Sequence, residues 1–502
     1  MLLVEGVSMD IVMVSSEAIP FAKTGGLADV VGTLPSRLVE LGHRCSVFLP
    51  AYSRVFRAGV AVQDTHAGFV TDIGGKPKAV RLLKATYGDP PVDYYFIDQP
   101  HYFERPNLYG DQYSDYQDNC ERFAFFCRSV VRAIERLSLP VNVVHCHDWQ
   151  SGLVPAYMRT RMGSMEWCNH AASVMTVHNL AYQGRYWVHD MHWTGLDWKH
   201  FTMDRMEFHN DVCFLKTGIT FADIVTTVSP NYAQEIQRPE FGCGLDGVLR
   251  GLGDRLVGIV NGVDYSVWDP WVDPLLPQPY GVENWITGKA TCKAELQKEL
   301  GLTVDPSIPV IGLVGRLAGQ KGWDLVIPLI ERSLSNRHVQ WAILGSGEHR
   351  FQSALHELAA KALDRVGVRL EFSDRLAHAI ESGADLFLMP SQYEPCGLNQ
   401  LYSLRYGTVP LVHAVGGLVD TVTDVSDYTI DDKSATGFVF YAYTLDSLAG
   451  CLDRALDILA REPLIWKQIV ETGMQQDWSW AKSAIQYESI YKRACAMPRT
   501  TE

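Results

Sequence analysis

The sequence predicts an α/β protein built from two doubly wound domains, each a parallel sheet with helices on both faces. Three observations predict it. Apolar runs of strand length alternate with helix-like stretches along most of the 502 residues, the pattern of parallel sheets buried on both faces. The runs fall into two series, separated by a turn-rich segment. Polar or glycine-containing motifs follow strands in both series, where open parallel sheets hold their ligands.

The first series begins with Ile11–Val14 and leads into Leu27–Leu34, with apolar Leu27, Val30, Val31 and Leu34 at i, i+3, i+4 and i+7 of a helix. It continues through Cys45–Leu49, Val141–His145, Ser173–Val177 and Ile224–Val228. Residues 53–120 are less regular, and Gly74-Gly75-Lys76-Pro77 predicts a hairpin. Asn261 through Tyr280 is rich in Pro, Asp and Trp, lacks helical period and reads as the boundary. The second series is Val310–Val314, Gln340–Leu344, Val368–Phe372, Leu386–Met389 and Val409–Val412, and Pro463–Ala496 reads as one or two helices. The expected division is a first domain over 1–260, a linker over 261–280, a second domain over 281–472 and a helical tail over 473–502 that packs back on the first domain.

Composition narrows the function. A net charge of −14 excludes a general binder of nucleic acid or anionic membranes. No run of 18 apolar residues suggests a membrane span. The segment Met1–Met9 carries one acidic and no basic residue, unlike a signal peptide, and Met9 is an alternative start. The 11 cysteines form no C-x-x-C pair, so neither a zinc site nor a disulfide framework is expected, and a reducing cytoplasm fits.

The motifs carry the chemistry. In Phe21-Ala22-Lys23-Thr24-Gly25-Gly26-Leu27, two glycines stand where a strand turns into a helix. Glycine allows close approach of a ligand to the backbone, a helix start attracts an anion, and Lys23 adds positive charge, so the expected ligand is a phosphate or diphosphate. An ordinary strand–helix turn with a solvated lysine would look the same. Asp148, after the next strand, is either aimed at a ligand or a helix N-cap. His145 and His147, at i and i+2, are read as pointing to opposite sides, which speaks against a shared metal. His178 and Asn179 follow another strand and can hydrogen-bond sugar hydroxyls. In the second series Gly315-Arg316 and Lys321 could clamp a diphosphate, and Gly345-Ser346-Gly347-Glu348 reads as a loop that a ligand approaches. The densest segment is Pro390–Gln400, with Glu394 just before Cys396-Gly397-Leu398-Asn399, which would open a helix and offer N–H groups to an anion. Gly416-Gly417-Leu418 repeats the glycine turn of the lysine loop. Together these imply an anion bearing a polyhydroxyl group, held between two domains.

Lys-Thr-Gly-Gly-Leu-Ala-Asp-Val, His-Asp-Trp, Arg-Leu…Gln-Lys-Gly and Glu-Pro-Cys-Gly-Leu, in this order and spacing over about residues 9–490, resemble bacterial glycogen synthases and plant starch synthases. These are retaining glucosyltransferases of glycosyltransferase family five, with the GT-B fold of two facing Rossmann-like domains and a deep interdomain cleft. The resemblance implies an ADP-glucose donor, an α-1,4-glucan or maltooligosaccharide acceptor, and transfer without cofactor or metal. Lys23, Gly25 and Gly26 would face the donor diphosphate and the acceptor; Asp148, His178 and Asn179 would hold the glucose and acceptor. Arg316 and Lys321 would neutralise the leaving diphosphate, beside Gly315. Glu394 would bind glucose hydroxyls and stabilise an oxocarbenium-like transition state, with the N–H groups of Cys396, Gly397 and Leu398 on glucose hydroxyls and phosphate. No Asp-x-Asp occurs in the chain, so the usual metal–diphosphate ligand pair is missing. Two positions depart from the pattern. Phe372 stands where many relatives have a tyrosine to stack on the base, and Asn399 where threonine is frequent, which leaves adenine against uracil less defined than the chemistry. Two other readings compete. One is a GT-B transferase with another donor or a small-sugar acceptor. The other is a non-catalytic glucan-binding or initiation protein, which the intact Lys23, Arg316, Lys321 and Glu394 set opposes. The same composition would suit a mature plastid form.

Overall fold

The strand series assemble into two separate parallel sheets in the computed structural model, which describes residues 8–111, 114–160 and 165–498. Most of Met1–Met9 therefore lies outside the described residues. The chain divides into two units: one runs to Gly262 and resumes at Trp480, and the other is Val263–Ser479.

In the first unit the sheet order is Leu256–Gly258, Ile224–Thr227, Ala172–Val177, Val143–His147, Asp10–Val14, Arg44–Pro50, Val92–Asp98, Lys76–Tyr87 and Gln63–Asp64. Pairing is parallel from Leu256–Gly258 through Val92–Asp98. Lys76–Tyr87 then runs antiparallel, in a hairpin with Phe69–Ile73 that turns at Gly74-Gly75. Asp10–Val14 is buried from Ile11 onward, its neighbour Val143–His147 along its whole length and its neighbour Arg44–Pro50 everywhere but Arg44 and Ser46, which is why the apolar runs are continuous rather than alternating. Helix Trp480–Ala496 packs on helix Gly26–Glu40 and strand Ala172–Val177, burying Trp480, Tyr487 and Tyr491 in the core of this unit.

The second unit has the order Val366–Arg369, Gln340–Leu344, Val310–Val314, Leu386–Met389, Val409–His413 and Phe438–Phe440, all parallel. Two strands are offset from their expected places. Val143–His147 lies two residues later because buried His145 and His147 continue the strand, and Val366–Arg369 ends before Phe372.

The boundary requires correction. Residues 263–280, expected as a linker, belong to the second unit. Trp268 stacks on His378 at 3.8 Å and on Tyr402 at 3.9 Å between ring centroids. Asp273 is buried and accepts hydrogen bonds from Tyr406 Oη (2.6 Å) and the His378 ring (2.7 Å). Asp269 pairs with Arg405, and Tyr280 Oη donates to the Tyr406 carbonyl at 2.8 Å. The aspartates of this turn-rich stretch are thus paired inside. Residues 473–479, expected in the tail, also belong to the second unit.

Candidate active site

In each unit the strand order reverses once, and the crevice at that reversal is where doubly wound sheets bind ligands. In the first unit the reversal lies between Asp10–Val14 and Val143–His147; in the second it lies between Val310–Val314 and Leu386–Met389. The segments that leave these four strands carry Glu17 to Gly26, Asp148, Gly315 to Lys321 and Ser391 to Asn399.

The first unit holds a polar group that sequence reading missed. Buried Glu17 accepts hydrogen bonds from the Thr24 N–H, from Thr24 Oγ1 (2.6 Å), from the Gly25 N–H (3.3 Å) and from Tyr109 Oη (2.6 Å). The glycine turn expected to offer its amides to a phosphate therefore offers two of the nearest ones to a carboxylate of the same chain. Lys23, expected to face a diphosphate, forms a 2.7 Å ion pair with Asp29 in the first turn of helix Gly26–Glu40. Room for a ligand remains at Gly25: a Cβ built there meets nothing within 4 Å.

Asp148 is not a helix cap, since its side chain makes no capping bond to the turn that follows. Its backbone has φ 55° and ψ −179°, a region costly for any residue but glycine. Its Oδ1 accepts the His178 N–H at 2.7 Å. Burial pushes its carboxyl up to about 7, and the charge of Glu17 adds to that, against the opposing His178 and Asn179 amides. The histidines correct a second expectation. Residues i and i+2 of a strand share a face, and the rings of His145 and His147 lie 4.0 Å apart. His147 Nδ1 meets His178 Nε2 at 3.0 Å. Burial pushes His145 and His178 down to about 3 and His147 well below its ordinary value, so the cluster is neutral. Asn179 Oδ1 accepts from the Ala181 N–H at 3.0 Å, an Asx turn that shapes the loop.

In the second unit Lys321 Nζ lies 2.6 Å from Glu394 Oε2, and Ser391 Oγ donates to the same oxygen at 2.9 Å. Glu394 is 6% exposed. Glycines fix this carboxylate's loop from two sides. Gly322 has φ 79° and a Cβ there would stand 2.1 Å from the Pro390 carbonyl. Gly416 has φ 46° and its Cβ would stand 1.9 Å from the Glu394 carbonyl, while the Gly417 N–H donates to that same carbonyl at 3.1 Å. The Gly416-Gly417 turn thus serves backbone packing. So does Gly345–Glu348, read as a loop that a ligand approaches. A Cβ on Gly345 would stand 2.0 Å from the Gly315 carbonyl, and the Leu317 N–H donates to the Ser346 carbonyl at 2.9 Å. Arg316 is exposed, and its carbonyl accepts from Trp323 Nε1 at 3.0 Å. Gly315 has open space on its Cβ side, with nothing within 4 Å, but its φ of 159° is one that side chains with a Cβ rarely adopt. Cys396 is buried, Gly397 has φ 73°, and Leu398 precedes helix Asn399–Tyr406. Asn399 does more than lend a backbone amide: its Nδ2 donates to the Val314 carbonyl at 2.8 Å, tying the start of helix Asn399–Tyr406 to the end of strand Val310–Val314. Phe372 is 79% exposed beyond the end of Val366–Arg369, an unusual setting for a large apolar ring.

Residues 10–251 match the starch synthase catalytic domain, and residues 298–461 match the glycosyl transferases group 1 domain. The chain is 46% identical to a glycogen synthase of Rhodopirellula baltica over 98% of its own length and 99% of the relative's. It is 44% identical to one of Syntrophotalea carbinolica, over 97% and 99%. The solved catalytic domain of starch synthase IV from Arabidopsis thaliana, bound to ADP and acarbose, matches with a TM-score of 0.90 at 32% identity, covering 98% of this chain and 100% of that one. A sucrose-phosphate synthase from Thermosynechococcus elongatus shares the fold at 17% identity, with a TM-score of 0.60 over 97% of this chain and 98% of its own.

Two doubly wound units, with a glycine turn at one reversal and a lysine–glutamate pair at the other, define a glycosyltransferase of the GT-B class. The chain belongs to the starch and glycogen synthase family, and its activity is that of a glucan synthase.

Two glycines should respond differently to alanine. Gly416→Ala is expected to lower stability by more than about 1 kcal/mol, because a left-handed residue gains a clash, and to lower kcat as Glu394 shifts. Gly25→Ala, with φ −156° and open space around it, should hold stability within about 0.5 kcal/mol while raising KM. Denaturant unfolding and steady-state kinetics on both variants check this.

Stability should also depend on pH in a defined sense. Between about pH 4 and 7 folded Asp148 keeps a proton that the unfolded chain has released, so its contribution falls as pH rises. Between about pH 3 and 6.5 the unfolded chain binds protons that folded His145, His147 and His178 refuse, so their contribution rises with pH. Three imidazoles outweigh one carboxyl, so this cluster destabilises the protein on acidification below about pH 6.5. Asp148→Asn removes the opposing contribution and should steepen the loss between about pH 7 and 5 in denaturant titrations.

Proposed function

We propose that this chain transfers glucose from ADP-glucose to the non-reducing end of an α-1,4-glucan, retaining the anomeric configuration, without a divalent metal. The observation that carries the reading is the buried Glu394, paired with Lys321 and held by glycine contacts at a strand-order reversal. Negative charge grows on the diphosphate as the glycosidic bond breaks, so cations placed there lower the barrier. Arg316 and Lys321 are the cations of this unit's site. A bound diphosphate competes with Glu394 for Lys321 Nζ and leaves the carboxylate to glucose hydroxyls and to positive charge at the anomeric carbon. Phe372 offers a face for the base. In the first unit Asp148, His178 and Asn179 serve glucose and acceptor hydroxyls, and Lys23 and the open side of Gly25 serve the anion. The ADP and acarbose bound by the Arabidopsis relative support both ligand classes.

Among the described residues no three His, Cys, Asp or Glu side chains gather as a metal site, and no helix is long and apolar enough to cross a membrane. A cytoplasmic location is part of the proposal, supported by the bacterial relatives and by cysteines that form no disulfide among the described residues. Transfer of labelled glucose from ADP-glucose and UDP-glucose to glycogen, with and without chelator, tests the reading. Faster transfer from ADP-glucose, unchanged by chelator, is expected. Preference for UDP-glucose would overturn the donor, and loss in chelator restored by magnesium would overturn the metal-free clamp.

A further inference from the structure

We propose that His147 is a positioning residue that fixes His178 in the tautomer with its proton on Nδ1, so that the imidazole presents a donor to a substrate oxygen. This deepens the role given to His178 above and rests on that reading.

The argument begins with what each ring nitrogen touches. His147 Nδ1 and His178 Nε2 are 3.0 Å apart, so one of them carries the shared proton. His147 Nε2 is buried and has no hydrogen-bond partner among the described residues. His145, stacked on His147 with rings 4.0 Å apart, has no nitrogen to spare: its Nδ1 meets Tyr491 Oη at 2.8 Å and its Nε2 meets Thr176 Oγ1 at 2.6 Å. Two neutral arrangements are possible. If His178 donated, His147 would carry its proton on Nε2 and bury an N–H with no acceptor. If His147 donates from Nδ1, its Nε2 is a bare lone pair, and an unmet acceptor is the smaller penalty. The second arrangement leaves His178 Nε2 as acceptor and places its proton on Nδ1.

The surroundings hold this state. Burial lowers the proton affinity of all three rings, which opposes a charged imidazolium near neutral pH. The backbone of His178 is held as well, by Asp148 Oδ1 at 2.7 Å. Consecutive residues His147 and Asp148 thus grip the ring and the backbone of one histidine, with Asp148 at a positive φ of 55°. His178 keeps exposed surface, and its Nδ1 makes no hydrogen bond among the described residues. The nitrogen without a partner among the described residues is therefore the protonated one.

Long-range proton–nitrogen correlation spectra of the full-length protein labelled with 15N-histidine read the tautomer directly, with His178→Ala used to assign the signals. The expected result is a protonated, pyrrole-type Nδ1 and a bare, pyridine-type Nε2 for His178. The reverse pattern overturns the proposal, whatever the activity. Kinetics supply a second readout. His147→Leu, which cannot donate, should lower kcat for glucan elongation by about tenfold, the worth of one oriented hydrogen bond. His147→Asn, whose Nδ2 lies near the position of Nδ1 and donates, should restore most of that loss. Equal losses in the two folded variants would sink the role of donor. A parent protein that transferred no glucose from any nucleotide sugar would refute the functional reading, while the nitrogen signals would still decide the tautomer.

Discussion

Replacing Glu394 with alanine is expected to lower kcat by about two to three orders of magnitude and to leave ADP affinity near that of the parent. The side chain is buried, accepts from Ser391 and Lys321, and its main chain is fixed by Gly416 and Gly417. Once a bound diphosphate has drawn Lys321 away, such a carboxylate is already in place to meet positive charge as it develops on the sugar, which is the setting where one electrostatic contact counts most. ADP itself carries no sugar, so its binding should survive. Single-turnover transfer and ADP titration separate the two effects, and a variant that elongates glucan at the parent rate would remove Glu394 from the chemistry.

Lys321→Ala should cost about 2–4 kcal/mol of transition-state stabilisation, read as kcat/KM for ADP-glucose, and Arg316→Ala a similar amount. Lys321 differs from Arg316 in a second consequence. Its loss leaves Glu394 buried with Ser391 as its one side-chain partner among the described residues, so stability should fall too, by about 1–3 kcal/mol given that Lys321 is partly solvated. Adding Glu394→Ala to Lys321→Ala should recover part of that stability and none of the activity. Additive stability losses in the double variant would show that the ion pair contributes nothing to the fold.

The strands were legible wherever both sheet faces are buried, because their apolar runs are unbroken, as in Val310–Val314 and Leu386–Met389. They were misplaced where polar groups are buried in the strand, since His145 and His147 look like the end of an apolar run. Turn composition likewise hid the packing of residues 263–280, whose Asp269 and Asp273 find partners more than a hundred residues away. Within the site, residue types announced the loops but not their internal pairings. The Glu394–Lys321 contact joins motifs 73 residues apart, and each had been assigned to a different part of the ligand. Glu17 went unnoticed because a lone glutamate after a strand has no pattern of its own; only the fold brings it to the Thr24 and Gly25 amides. The histidine pair was misread for a simpler reason, as strand periodicity places i and i+2 together.

The chain enters the second unit after Gly262 and returns to the first at Trp480, where Tyr491 meets His145 in the core. During synthesis, therefore, the half of the protein that is made first is completed last. Cutting the chain after residue 479 would strip a core helix from the N-terminal half and leave the half just upstream whole. A fragment ending at 262 should regain a stable core only when the final helix is supplied as a separate peptide.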